Sequence, residues 1–271
     1  MALNAFVAEL TNRAAITLTG PDWRGFLQGL ITQDVETLTP GEARFAALLT
    51  PQGRLLFDLF VIGRNDDCLI DCAANQRDAL IQRLTLYRLR AKVEIAASPA
   101  RIEALWGTHD APGSGWIADP RLPALGWRGY DAAPPEGAVR VHGGAYEDHR
   151  LSLGVPGPDD WGSDKTYPIE ANFDLLAGID FKKGCFVGQE TTSRMKRRGV
   201  IKSRMAPILF DGSAPAPGTE LLAGDLRAGE VRYGTEGVAM ALLRLDRLEG
   251  SLTLDDGRAW RPALPEWMGS P

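Results

Sequence analysis

After residue 203 the chain offers six short β-type runs, "SRMAPILF", "TELLAG", "AGEVRYGT", "VAMALLRL", "SLTLDD" and "AWRPAL", parted by Gly, Pro and Asp. None is long enough to make an independent helix. Strands this short bury their apolar faces only by curling onto one another, so the pattern predicts a small β-barrel or sandwich. This places a C-terminal unit at 204–271 and leaves 1–203 to fold by other rules.

Those other rules mix helix and strand. "AFVAEL" and "AAITLTG" read as strands parted by a turn. "GPDWRGFLQGLITQDV" carries helix-start signals in Pro21 and Asp22, with Trp23, Phe26, Leu27 and Leu30 on one face. "RFAALLTPQGRLLFDLFVIG" predicts a hairpin turning at "TPQG", and "CLIDCA" another strand. "NQRDALIQRLTLYRLR" predicts a helix with Leu80, Leu84 and Tyr87 inward, followed by the strand "AKVEIAA". Farther on, "RIEALWG" and "LGWRGYD" read as strands, and "YEDHRLSLGV" and "PIEANFDLLAGI" as short helices. The fold class is α+β: a body over 1–203, holding two interleaved subdomains that break near 98–101, and the barrel.

A net charge of −5 argues against a dedicated nucleic-acid binder. "MALNAFVAELTNR" lacks the basic start and apolar core of a secretory signal. No apolar run approaches the roughly 20 residues that span a bilayer, so no membrane partner is expected. Three cysteines make no complete disulfide framework, which points to a reducing compartment and predicts a cytoplasmic protein. Cys68 and Cys72 share one face of a strand and read as core residues. There is no P-loop, no G-x-S-x-G and no Rossmann glycine fingerprint, and the three histidines lack metal-ligand spacing.

The third cysteine lies in "KGCFVGQE", residues 183–190. From Gly188 to Arg198 the charge order suits a helix: Glu190 near the start, then Arg194, Lys196, Arg197 and Arg198, with Gly199 as terminator. Glu190 and Arg194 are spaced to pair. Cys185 then precedes a helix N-terminus beside Lys182 and Lys183, which favours thiolate over thiol. Gly184 and Gly188 permit a tight turn or a close ligand approach. Such a thiol suits a nucleophile, a redox group or a transient metal ligand; a lone cysteine is also often a small buried hydrophobe. The basic run, continued by Lys202 and Arg204, is either a solvated face or a site for phosphate or carboxylate groups, such as a polyanionic tail or RNA.

"KGCFVGQE" followed by "TTSR" resembles the signature of the YgfZ family, relatives of the glycine cleavage T-protein, an aminomethyltransferase. "FLQGLITQDV", "TPQGRLLFDLFV", "YRLRAKVEI", "RLSLGVP", "PIEANFDLLAGIDFKKGC" and "GVAMALLRL" are similar to family segments in family order. The resemblance implies an aminomethyltransferase-like, folate-binding body around a central channel, a small C-terminal β-barrel, and tetrahydrofolate as cofactor. It implies help in making or repairing iron–sulfur enzymes, including those that methylthiolate tRNA. Partners would then be folate and iron–sulfur assembly or client proteins, with tRNA only indirectly. Cys185 becomes the catalytic thiol and the one transient metal ligand, no other metal site being expected. Lys183, Gly184, Gly188, Gln189, Glu190 and Arg194 form its motif loop. Asp34, Asp58 or Glu170 would read the pterin edge. Arg194, or the basic patch of Lys196, Arg197, Arg198 and Lys202, would hold the glutamate tail.

Two departures bear on chemistry. The paired Asp-Asp of the T-protein pattern reads Phe57-Asp58 here, and Ser152 stands where the family shows Glu. Both argue against aminomethyl transfer, which stays as an alternative function beside a non-catalytic RNA- or protein-docking module.

Overall fold

The computed structural model describes residues 5–269. Met1–Asn4, the opening of the segment read for a signal, and the last two residues of the 204–271 range lie outside them. The body begins with β1 (Phe6–Glu9), β2 (Arg13–Thr19), α1 (Trp23–Gln28), β3 (Ala43–Leu49), β4 (Leu55–Gly63), β5 (Cys68–Ala73), α2 (Arg77–Arg88) and β6 (Glu94–Ser98). There follow β7 (Ile102–Trp106), β8 (Trp116–Ala118), β9 (Trp127–Tyr130), β10 (Val139–Arg140), α3 (Gly143–Ser152), α4 (Pro158–Trp161) and α5 (Gln189–Arg198).

Two sheets share these strands. One runs β3-β4-β5-β2-β6, the other β10-β1-β7-β9-β8, so β1 leaves its own sheet before the other is built and β7 returns to it. In β3, β4 and β5 of the first sheet both faces are buried, and the two-residue period of a strand sorts its side chains. Phe57, Leu59 and Val61 join Trp23, Leu27, Leu80 and Leu84 in the core beneath α1 and α2. Phe60 and Ile62 point the other way, into the core between the sheets. Cys68 and Cys72 are buried in the first of these cores, as their spacing predicts.

The barrel strands are β11 (Ser203–Phe210), β12 (Glu220–Ala223), β13 (Leu226–Thr235), β14 (Val238–Arg244), β15 (Leu252–Leu254) and β16 (Trp260–Pro262). Their order is β15-β12-β13-β14-β11-β16, and a bridge between Thr253 and Ala259 brings the two ends together. Met205 and Met240 pack into the core between the body sheets, so body and barrel share apolar contacts.

Two helices predicted from sequence differ. The first spans only Trp23–Gln28. Beyond it the chain is drawn onto β3, where Thr32 donates its backbone N–H to Ala47 and its hydroxyl to the Gly178 carbonyl. "PIEANFDLLAGI" forms turns instead of a helix, because Asn172 and Ala177 sit at positive φ (61° and 52°). Arg204 fixes this segment by donating to the Ile169 carbonyl, Asn172 Oδ1 and the Asp174 carboxylate.

Candidate functional site

Cys185 is an exposed free thiol on the loop that leads into α5. The loop is rigid for three reasons. Asp180 Oδ1 accepts the backbone N–H of Lys182 (2.7 Å) and of Lys183 (3.3 Å). Lys183 Nζ donates to the carbonyls of Gln28 (2.8 Å), Ile31 (2.7 Å) and Gln33 (3.0 Å), closing the open C-terminal end of α1. Phe186, next to the cysteine, is buried in the core between the sheets. Burial pulls the Lys183 amine down to about 8, against the opposing charges of Asp34, Asp180 and Glu36.

Gly188 starts α5 in the left-handed region (φ 80°). A Cβ there would stand 2.5 Å from the Thr50 carbonyl oxygen and 2.9 Å from the Gly53 Cα. Gly53 is the "TPQG" turn glycine, itself at φ 85°, and a Cβ on it would meet Thr191 at 2.9 Å. The β3–β4 turn and the start of α5 therefore touch backbone to backbone, a closeness only glycine on both sides permits. Gly184, by contrast, faces open space.

Several sequence expectations are corrected here. The Lys183 ammonium serves α1 rather than the thiol. Among the described residues Glu190 and Arg194 form no ion pair, and both are exposed, so neither braces the loop. Gln189 holds the turn through its backbone N–H to the Phe186 carbonyl. Arg204 leaves the basic run, paired with Asp174 at 2.9 Å. Arg194, Lys196, Arg197, Arg198 and Lys202 remain exposed and take part in no ion pair among the described residues. Lys196 lies over the Phe181 ring.

The residues expected to hold a pterin do not converge. Asp34 is occupied locally: it accepts from Gln28 Nε2 (2.8 Å) and from both the N–H and the hydroxyl of Thr37. Burial pushes its carboxyl up, and those hydrogen bonds outweigh it, so Asp34 titrates below the usual carboxylate range. Asp58 points between the sheets, where its Oδ2 accepts from Arg13 (2.7 Å) and its buried Oδ1 has no hydrogen-bond partner among the described residues. Glu170 lines a cavity of ligand size, about 410 Å³, with Met195, Arg198 and Lys202. Its Oε2 accepts from the Tyr167 N–H (3.0 Å). Burial raises its carboxyl, with the Tyr167 hydrogen bond and the charges of Arg54 and Arg232 opposing. A partly buried carboxylate suits the donor edge of a 2-amino-pyrimidinone, the Met195 thioether an apolar ring face, and the two cations an anionic tail. These residues fit a folate, whereas the Asp34 carboxylate is already engaged by Gln28 and Thr37.

Sequence reasoning missed a buried ionic cluster beside Asp58. Arg13 donates to Asp71 Oδ1 (2.6 Å) and Asp58 Oδ2 (2.7 Å), and Arg128 donates to Asp71 Oδ2 (2.5 Å). All three guanidinium groups of Arg13, Arg121 and Arg128 lie over the Phe60 ring. Burial pushes the Asp71 carboxyl up, but Arg128 and Arg13 more than reverse this and hold it below its ordinary range. The signal was present: one carboxylate inside each apolar strand, Asp58 in "LLFDLFVIG" and Asp71 in "CLIDCA". Such a residue is kept charged only by a buried partner.

The architecture defines a class, the aminomethyltransferase fold. The crystal structure of glycine cleavage system aminomethyltransferase T from Bartonella henselae superposes with a TM-score of 0.77 over 98% of this chain and 87% of that one, at 15% identity. The family described as CAF17, C-terminal beta-barrel domain, matches residues 202–270. The iron-sulfur cluster assembly factor IBA57, mitochondrial, of Homo sapiens is 31% identical over 96% of this chain and 84% of its own length. That of Mus musculus is 30% identical over the same shares. A homolog from Phaeosphaeria nodorum is 35% identical over 77% of this chain, which spans 56% of that longer protein. The chain belongs to the IBA57 family of iron–sulfur cluster assembly factors. The kinship to the aminomethyltransferase fold stands as the motif implied, while the family is IBA57 rather than YgfZ.

The cytoplasmic expectation is overturned, since these relatives are mitochondrial by name. Unpaired thiols report a reducing compartment, which does not single out the cytoplasm.

Proposed function

We propose that this protein is a folate-binding accessory factor for the assembly or repair of iron–sulfur enzymes, with Cys185 as its working thiol. The observation that carries the reading is the exposed sulfur on a loop clamped by Lys183 and by the Gly188–Gly53 contact. The family's name supplies the process. Among the described residues no cluster of three or more His, Cys, Asp or Glu groups could hold a metal ion. Cys185 supplies one donor, so iron held there as cargo would take its other donors from a second molecule. Iron–sulfur enzymes, among them those that methylthiolate tRNA, are the clients.

Folate enters this reading through the Glu170 cavity, where Glu170, Arg198 and Lys202 would hold it and Met195 would underlie the ring. When bound, it supplies one-carbon or reducing equivalents; the chain's own part is to bind and orient it. The aminomethyltransferase alternative loses ground at Phe57, which packs into the core beneath α1 where the pattern calls for a carboxylate. The unpaired basic face of α5 supports protein docking as part of the same role. The test is complementation of a strain lacking the factor. Cys185→Ala should accumulate as a folded protein and leave [4Fe–4S] enzyme activity at the level of the deletion. Rescue equal to the parent's removes the thiol from the function.

A further inference from the structure

The last turn of α2 presents an unusual surface. Leu86 is 66% exposed and Leu89 is 89% exposed, the two most exposed large apolar side chains among the described residues of the body but for Val200. Leu89 closes the helix at φ 43° and ψ −105°. A left-handed φ at a helix end is normally a glycine's place, and a branched side chain there is strained. Strain of this kind persists where surrounding structure enforces it, and it gathers at functional positions. Here it holds a leucine out in water, 89% exposed. Arg88, Arg90 and Lys92 flank Leu89 in sequence, all exposed and without an ion pair among the described residues, and Arg88 donates to the Val93 carbonyl at 3.4 Å. Glu94 and Asp22 are the exposed acids at the margin, and Asp22 accepts the Lys92 backbone N–H. This cationic run stands on a chain whose net charge is −5. Next to it the edge strand β6 turns Ala96 and Ala97 to solvent.

The tip is also tied to the thiol loop through one short element. The backbone N–H of Lys92 donates to Asp22 Oδ2 (2.8 Å) at the N-terminus of α1. Lys183, two residues before Cys185, closes the C-terminus of the same helix. Helix α1 has six residues and so is about 9 Å long. A protein–protein patch of standard size, about 800 Å² per partner, spans both ends.

From this we infer that the α2 tip is a docking surface for an acidic iron–sulfur protein, which seats its apolar patch on Leu86 and Leu89 and its carboxylates on Arg88, Arg90 and Lys92 while its own ligands reach Cys185. The inference rests on the function proposed above and names the face through which the second molecule approaches. Charge complementarity selects an acidic occupant, and the relatives' part in iron–sulfur cluster assembly selects an iron–sulfur protein; a second copy of this chain, itself acidic overall, RNA and a lipid surface are the competing ones.

The test uses the full chain in the strain lacking the factor. Leu86→Glu, Leu89→Gly and the double variant Arg90→Glu/Lys92→Glu should each remain folded by circular dichroism, and each should lower rescued [4Fe–4S] enzyme activity at least fivefold. Leu89→Gly should also melt higher than the parent, because its strain is relieved. A photo-crosslinking residue at position 89, and another at position 182, should both capture the same acidic iron–sulfur protein, whereas one at position 226 on the barrel should not. Full rescue by Leu86→Glu overturns the proposal, as does an adduct at 89 to RNA, lipid or this chain itself, or no adduct at all. If Cys185→Ala rescues fully while the crosslinks appear as described, the thiol's role falls and the docking face stands. If Cys185→Ala is inactive and Leu86→Glu rescues, only the docking face falls.

Discussion

Gly188→Ala is the substitution whose cost the structure fixes most narrowly. The added Cβ would stand 2.5 Å from the Thr50 carbonyl oxygen and 2.9 Å from the Gly53 Cα, both backbone atoms that no rotamer change can move. At φ 80° a non-glycine residue in the left-handed region adds about 1–2 kcal/mol, and overpacking adds about 1–3 kcal/mol. The sum, about 2–5 kcal/mol, is a large share of the roughly 5–15 kcal/mol that holds a domain folded. Gly184→Ala is the internal control: nothing lies within 4 Å of its Cβ, so it should change stability by less than about 0.5 kcal/mol. Urea denaturation followed by circular dichroism, with the m-value checked for constancy, measures both. A Gly188→Ala midpoint within experimental error of the parent's would refute the backbone-to-backbone clamp. So would a Gly184→Ala variant that loses as much as Gly188→Ala.

Thiol titration should count one reactive sulfur in the native protein and three in denaturant, because Cys185 is exposed while Cys68 and Cys72 are buried. Burial pushes both buried thiols up to about 12, so native labelling should still count one thiol at pH 10. The sign follows: the folded state keeps two protons that the unfolded state releases from about pH 9, so this contribution to stability is lost as pH rises toward 12. A second fast thiol at pH 8 would contradict the assignment of those cysteines to the core. Phe57→Asp, which restores the paired carboxylates of the T-protein pattern, should destabilise the fold by about 3–5 kcal/mol, because the ring packs in the α1 core. It should not release methylene-tetrahydrofolate from an aminomethylated lipoyl carrier. A stable, active variant would overturn the reading of Phe57.

Much of this architecture was readable before coordinates. The short barrel strands and the buried face of α2 follow from spacing, because local pattern and tertiary environment agree there. Cys68 and Cys72 fall in the core by the two-residue period of their strand. What could not be read depends on partners far away in the chain. Lys183 looked like a cation for the thiol, since its three carbonyl acceptors lie about 150 residues earlier. Gly188 was marked as a turn or a ligand contact, but its reason is Gly53, on a hairpin the motif does not reveal. "PIEANFDLLAGI" has helical composition, yet Arg204 and Met205 hold it in turns through Asn172, an override that propensity cannot register. Of the carboxylates suggested for the pterin, Glu170 lines a cavity of about 410 Å³, a feature set by packing.

The measurement closest to the central claim is anaerobic absorption spectroscopy of the purified chain mixed with ferrous iron, sulfide and glutathione, which supplies the donors a lone cysteine lacks. Parent protein and a Cys68→Ala/Cys72→Ala variant should both develop thiolate-to-iron charge-transfer bands, and Cys185→Ala should develop none above the glutathione blank. Equal bands in Cys185→Ala and parent, or none in the parent, would contradict the assignment of that sulfur as the chain's point of contact with its cargo.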